Sequence, residues 1–178
     1  MLLEKFWFQN YIYNILNVDI NKKKVIIFFK MYKIPNFFSK KKFIYDNTGR
    51  SPAFFVKDDN VKIDQSFLKN LIKFSKINNN VNCRVCIHKT KKAELHSMIV
   101  LINSKNKFDI HKHSKTLEIY QLIKGSLQIN LFKNKKKVKS VTMKKKSEIF
   151  SVLKNQLHVV VPLSGIAIFH EIKLNEHK

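Results

Sequence analysis

Four side chains in the second half of this sequence have the types and spacing of a divalent metal site: His111, His113, Glu118 and His158. In a strand, residues two apart share a face, so His111 and His113 would project together while Lys112 points to solvent. On the following strand Glu118 shares its face with Tyr120 and Leu122, and further on His158 shares one with Val160. Polar donors on otherwise apolar faces look into an interior. Three imidazoles and one carboxylate suit Zn(II), Fe(II), Mn(II) or Ni(II), and leave positions open for water or substrate on an octahedral ion.

The spacing carries more than the residue types do. With seven histidines in 178 residues, an H-x-H pair arises by chance in about one such chain in four. Requiring Glu five residues on and Gly seven beyond it, as Glu118 and Gly125 stand here, lowers that to roughly one in several thousand. The combination is therefore a site signature rather than an accident of composition.

The elements that would position these residues follow from periodicity. Apolar residues Phe67, Leu68, Leu71 and Ile72, continued by Ser75, recur at helical spacing behind Asp64, a capping residue, which predicts a helix over 65–76. The run Asn78, Asn79, Asn80 marks a turn. After it, short β-branched or alternating runs near 82–88, 96–102, 107–112, 117–123, 126–133, 136–142, 148–153, 157–161 and 165–173 are punctuated by Lys124-Gly125, Asn134-Lys135 and Ser164-Gly165. Regularly spaced short strands predict an all-β barrel or sandwich. Residues 1–53 carry no chemical motif and read as an N-terminal extension, with Met31 as a second conceivable start; residues 54–178 read as one domain.

With those residues in view, the chain resembles the cupins, whose first signature is H-x-H-x4-E-x6-G. His158 in Leu157-His158-Val159-Val160-Val161 stands where the second signature places its ligand histidine. The resemblance narrows to the WbuC-type cupins of bacterial surface-polysaccharide (O-antigen) gene clusters. Their R-x-R-x-C-x-H and H-E-M-x-I segments are matched by Asn82-Cys83-Arg84-Val85-Cys86-Ile87-His88 and by His96-Ser97-Met98-Ile99-Val100. It covers about residues 54–173, with departures at Asn82, at Leu157 and in the ending 173–177. It implies a jelly-roll (double-stranded β-helix) barrel behind a short helix, a divalent ion on the four named residues, a small-molecule substrate and, as in other cupins, a homodimer.

Further residues have candidate roles. Arg84, Cys86 and His88 share one strand face; a guanidinium fork makes Arg84 a candidate for a substrate anion such as a sugar-linked phosphate, against an ion pair with Glu94 or Glu171. His88 is a candidate general base and Tyr120 a proton donor beside Glu118. His170 alternates with Ile166, Ile168 and Ile172, which would turn it inward near the metal as a hydrogen-bonding or substrate-binding residue; His96 is a weaker candidate. Cys83 and Cys86 spell C-x-x-C, yet three-residue spacing sends them to opposite strand faces and no second pair completes a tetrahedral zinc site.

The net charge of +23 rests on lysine, since Arg50 and Arg84 are the two arginines among 35 basic residues. Nucleic-acid recognition draws on arginine, and abundant Lys, Asn, Ile and Phe is what an AT-rich coding sequence produces. The lysine clusters of 133–139 and 144–146 fit a hairpin and a protected edge. Two cysteines, no signal-peptide pattern at the start, and an apolar window at 25–38 broken by Lys30, Lys33 and Pro35 predict a cytoplasmic protein without a membrane span. The first functional expectation is a metalloprotein acting on a nucleotide sugar or sugar-derived intermediate, by isomerisation or epimerisation. The alternatives are an Fe(II)-dependent cupin oxygenase and, from another class, a basic nucleic-acid- or membrane-binding protein with the barrel as scaffold.

Overall fold

β-branched and aromatic runs separated by turn residues place most of the chain in strands. The computed structural model describes residues 3–8, 11–20, 23–58 and 60–175, the first three strands by their backbone alone. Two compact units divide between Ile34 and Pro35. In the first, β1 (Leu3–Phe8), β2 (Tyr11–Ile20) and β3 (Lys23–Met31) form an antiparallel meander in the order β1-β2-β3. Its register runs from Phe8 opposite Tyr11 to Val18 opposite Val25.

The second unit opens with a 3-10 turn (Asn36–Phe38) and the hairpin β4 (Phe43–Asp46) and β5 (Ala53–Val56). The division read from composition, after residue 53, falls inside β5. Helix α1 (Gln65–Ile77) follows, its first turn capped by Asp64, whose Oδ1 accepts from Phe67 N–H at 2.9 Å. Phe74 completes its buried stripe with Phe67, Leu68, Leu71 and Ser75. The helix ends at Asn79 and Asn80, both in the left-handed region. It is also a crossover: β5 and β6 (Cys83–Cys86) are parallel neighbours, an arrangement that no tight hairpin can produce.

From β7 (Leu95–Asn103) onward the chain passes back and forth between two sheets. β8 (Glu118–Lys124), β11 (Ile149–Val152) and β13 (Ile166–Leu174) join a seven-stranded sheet ordered β11-β8-β13-β7-β6-β5-β4. β9 (Leu127–Lys133), β10 (Lys136–Met143) and β12 (Leu157–Pro162) form the other, ordered β10-β9-β12. The chain at His111 extends that second sheet by pairing with His158. Eight segments, four in each sheet with β9 and β10 paired as a hairpin, make the cupin-type jelly roll. The strand expected at 107–112 is reduced to this one bridge, because Asp109 turns its carbonyl toward the His111 ring and Phe108 dips into the barrel core.

Between the sheets lies an apolar core that includes Tyr120, Leu122, Leu127, Ile129 and Phe169. The other face of the large sheet is covered too: Phe54 stacks on Phe38 at 4.3 Å and meets Phe74 edge-on at 4.9 Å, and α1 lies against β6 and β7. The lysine-rich β10 is the edge strand of the smaller sheet, exposed along most of its length and bulged at Lys137–Lys139. Among the described residues, no helix is long and apolar enough to cross a membrane.

Candidate metal centre

Backbone pairing sets two of the ligand candidates side by side. His111 and His158 exchange both N–H···O bonds, at 2.9 and 2.8 Å, and their rings lie 4.4 Å apart. Each ring is then aimed by a carbonyl two residues earlier: His111 Nδ1 donates to Asp109 O at 3.0 Å and His158 Nδ1 to Gln156 O at 2.9 Å. A carbonyl can only accept, so in the neutral imidazole the proton sits on Nδ1 and the Nε2 lone pair faces inward, as metal-binding histidines require.

Glu118, the first residue of β8, meets them from the opposite sheet at 2% exposure. Its Oε2 lies 2.9 Å from His158 Nε2 and accepts from the Tyr120 hydroxyl at 2.5 Å; its Oε1 lies 2.9 Å from His113 Nε2 and accepts from Lys173 Nζ at 2.8 Å. Burial would raise the Glu118 pKa, but the close contacts with the His113 and His158 rings and the Lys173 charge outweigh it, and the carboxyl is held well below its usual range. Burial, then the charges of Glu171 and Glu118, keep the Tyr120 phenol protonated far above its ordinary titration.

These residues fit a metal ion. With its proton committed to Gln156 O, His158 Nε2 faces a carboxylate oxygen at 2.9 Å, so a second proton or a shared cation must lie between two lone pairs. Ligands about 2.1 Å from an ion and at right angles to each other are about 3.0 Å apart. The donor atoms of His111, Glu118 and His158 all lie within 4.8 Å of one another. His113 stands outside this tight group, on the other oxygen of Glu118. It lies beyond the one-residue bridge, where strand alternation no longer governs it, and its carbonyl accepts from Asn155 N–H instead.

Two cavity lobes of about 470 and 450 Å³ adjoin this cluster and share Arg50, Ser51, Arg84, Val100 and Glu171 as lining. The first reaches His113 and Lys173, the second His111 and Tyr120. Arg84 donates from Nη1 to Ser51 Oγ at 2.9 Å and, among the described residues, makes no ion pair with Glu94 or Glu171. His88 lines the first lobe, its Nδ1 3.2 Å from Ser97 O and 3.1 Å from Ser97 N, and its ring stacked on His96 at 4.4 Å; the tautomer that donates from Nδ1 to the carbonyl leaves a lone pair on Nε2. Burial above all pushes its pKa down to about 4, so it is neutral near pH 7.

His170 is not in this cavity. Its Nε2 bonds Ser97 Oγ at 2.7 Å, on the face of β13 opposite Phe169, Glu171 and Lys173. Alternation with isoleucines misled here because β13 is a central strand covered on both sides, so apolar neighbours mark neither face as the interior. Cys83 and Cys86 are both buried and free, and Cys86 alone lines a lobe; burial pushes its thiol up to about 11.

Sequence reasoning overlooked Arg50, Glu171 and Lys173 as cavity residues. A signal for the first was present: Arg50 and Arg84, the two arginines of the chain, line the same two lobes.

A family described as a domain of unknown function (DUF6016) matches residues 63–144. No curated protein sequence matches the chain. Among solved structures it is similar to KdgF from Halomonas sp., at 15% identity over 53% of this chain and 78% of that one, with a TM-score of 0.41. It is similar also to an RmlC-like cupin family protein with a double-stranded β-helix fold from Methanocaldococcus jannaschii, at 16% identity over 52% and 81% with a TM-score of 0.42. A third is Fe(II) HppE, at 17% identity over 50% and 47% with a TM-score of 0.40. These likenesses are of fold, and no residue role passes from them to this chain.

Proposed function

We propose that this chain is a metal-dependent cupin enzyme of the cytoplasm that isomerises or epimerises an anionic sugar derivative, such as a nucleotide sugar, in surface-polysaccharide biosynthesis, as a homodimer. The observation that carries the metal reading is the convergence of half-buried His111 with buried Glu118 and His158, with His113 as fourth ligand, beside a cavity lined by both arginines. The sugar substrate, the pathway, the dimer and WbuC-type membership rest on the sequence motifs.

A bound divalent ion supplies Lewis-acid polarisation of a substrate carbonyl or hydroxyl. Arg84, with its fork braced on Ser51, and Arg50 beside it hold the anionic group. The Tyr120 hydroxyl holds a proton directed at Glu118 and His158, at the inner end of the second lobe. Neutral His88 in the first lobe is the candidate base. Phe169, Val100 and Ile102 give the cavity dry walls on the second side.

The test is elemental analysis of protein purified without an affinity tag, with a His111→Ala, His158→Ala double variant beside it. About one ion per chain, lost in the folded double variant, is the expected result; metal-free protein, unable to take up zinc, manganese, iron or nickel, overturns the reading. A second reading, an Fe(II)-dependent oxygenase, is favoured by the tight group being two histidines and one carboxylate. Oxygen consumption with iron and none with zinc would select it.

A further inference from the structure

Lys173 is the residue at this site that the metal reading leaves without a role. The register of β13 on β8 sets it directly opposite Glu118, and its side chain is 18% exposed, so it is no surface lysine reaching back. Its ammonium lies 2.8 Å from Glu118 Oε1, 3.3 Å from Glu171 Oε1 and 3.4 Å from His113 Nε2. Two carboxylate oxygens accept from the ammonium, and His113 Nε2, itself 2.9 Å from the same Glu118 oxygen, is the third polar atom packed around it.

Two of those three atoms belong to ligand candidates. An ion bound to His113 Nε2 and to Glu118 Oε1 would lie within contact distance of an ammonium that stands 3.4 and 2.8 Å from those atoms, and two cations repel at such range.

We propose that Lys173 is the resident cation of the centre: its ammonium holds Glu118 and His113 in place without metal, and an ion that recruits His113 must expel it. Expulsion leaves the side chain in the first lobe, which it lines together with Glu171 and His88. Ion uptake therefore adds a positive charge to the cavity where Arg84 stands, so the loaded protein presents a more cationic pocket than its arginines alone would give. This inference rests on the metal reading above and deepens it, by naming what the ion displaces.

The experiment titrates metal-stripped full-length protein with Zn²⁺ or Mn²⁺ alone, by calorimetry at one pH, comparing wild type, Lys173→Met and Lys91→Met. Lys91 lines the same lobe but is paired with Asp46 at 2.7 Å, and so controls for the loss of one positive charge nearby. Lys173→Met should bind the ion about tenfold or more tightly than wild type, with Lys91→Met within about threefold. In parallel, acetylation of the wild-type protein, read at Lys173 by mass spectrometry, should rise several-fold when the ion is added. Equal or weaker binding by Lys173→Met, with wild type binding normally, overturns the displacement and leaves the metal reading standing. Unchanged or reduced acetylation of Lys173 overturns it as well, even where the methionine variant does not fold. If neither protein binds an ion, both readings fall.

Discussion

Replacing Gly125 by alanine tests whether the glycine of the H-x-H-x4-E-x6-G spacing belongs to the chemistry or to the scaffold. Gly125 turns the chain from β8 into β9 with φ +79°, in the left-handed region, which costs an alanine about 1 kcal/mol. A Cβ built there would lie 2.3 Å from Ile166 O, 2.6 Å from Ser164 Oγ and 3.2 Å from Ala167 Cα. Those atoms cannot drift aside, because Ser164 Oγ accepts from Ser126 N–H at 3.0 Å, Leu163 N–H donates to Ser126 O at 2.9 Å and Ser104 N–H donates to Gly165 O at 3.1 Å. Forcing a methyl into such packing adds about 1–3 kcal/mol. The sum is about 2–4 kcal/mol, or a fall in melting temperature of roughly 5–15 °C for a domain of this size. Gly165 is the internal control, since a Cβ there meets nothing within 4 Å, and Gly165→Ala should stay within about 0.5 kcal/mol of wild type. Glu118 sits at the far end of β8 from Gly125, so metal affinity of the folded Gly125→Ala protein should stay within about threefold. Thermal unfolding by circular dichroism, with a zinc titration at 20 °C, reads both quantities. A melting point within 2 °C of wild type would refute the steric argument; a normal melting point with lost metal would give the glycine to the site.

Two further outcomes follow from the same coordinates. Asp64→Ala removes the acceptor of the Phe67 N–H at the start of α1 and should cost about 1 kcal/mol in urea unfolding, with Asp64→Asn retaining most of it; equal loss in both variants would show that charge rather than capping is involved. Burial lowers the pKa of His88 to about 4 and lowers that of His170 as well. Their folded values lie below the unfolded 6.5, so the unfolded chain binds more protons between the two, and stability present above about pH 6.5 is lost as pH falls toward 4. Glu118, also lowered, adds its loss only below about pH 4.5. Metal-free protein should therefore melt at lower temperature at pH 5 than at pH 7, and His88→Gln should flatten that slope; an unchanged slope in the variant would remove His88 as its cause.

Local pattern was enough for much of this molecule. Asp64 and the stripe from Phe67 to Ser75 specify α1 because capping and 3.6-residue periodicity are properties of neighbours in sequence. The turns at Asn79-Asn80 and Gly125 follow from which residues tolerate positive φ. The expected strands, other than 107–112, are found within a residue or two at most ends, because each has two-residue alternation or β-branched runs bounded by turn residues. His111, His113 and Glu118 stood out for a different reason, a spacing with Gly125 that is improbable by chance, and His158 through its resemblance to the second cupin signature.

What local pattern could not supply was the choice between two covered faces. β13 is flanked by β7 and β8 and has Ile168 buried on its outer face as fully as Ala167 on its inner one, so isoleucines at 166, 168 and 172 pointed to an inward His170 when the inward residues are Phe169, Glu171 and Lys173. Arg50 reaches the cavity only because β4 and β5 join the large sheet beside a parallel crossover, a pairing fixed by contacts far apart in sequence. Lys173 opposite Glu118 is likewise a matter of register between strands more than fifty residues apart. The sequence by itself brought out His111, His113, Glu118 and His158 as ligand candidates, because their types and spacing are local; the tertiary fold decided that Lys173 stands beside Glu118, because only strand pairing brings that ammonium to the carboxylate.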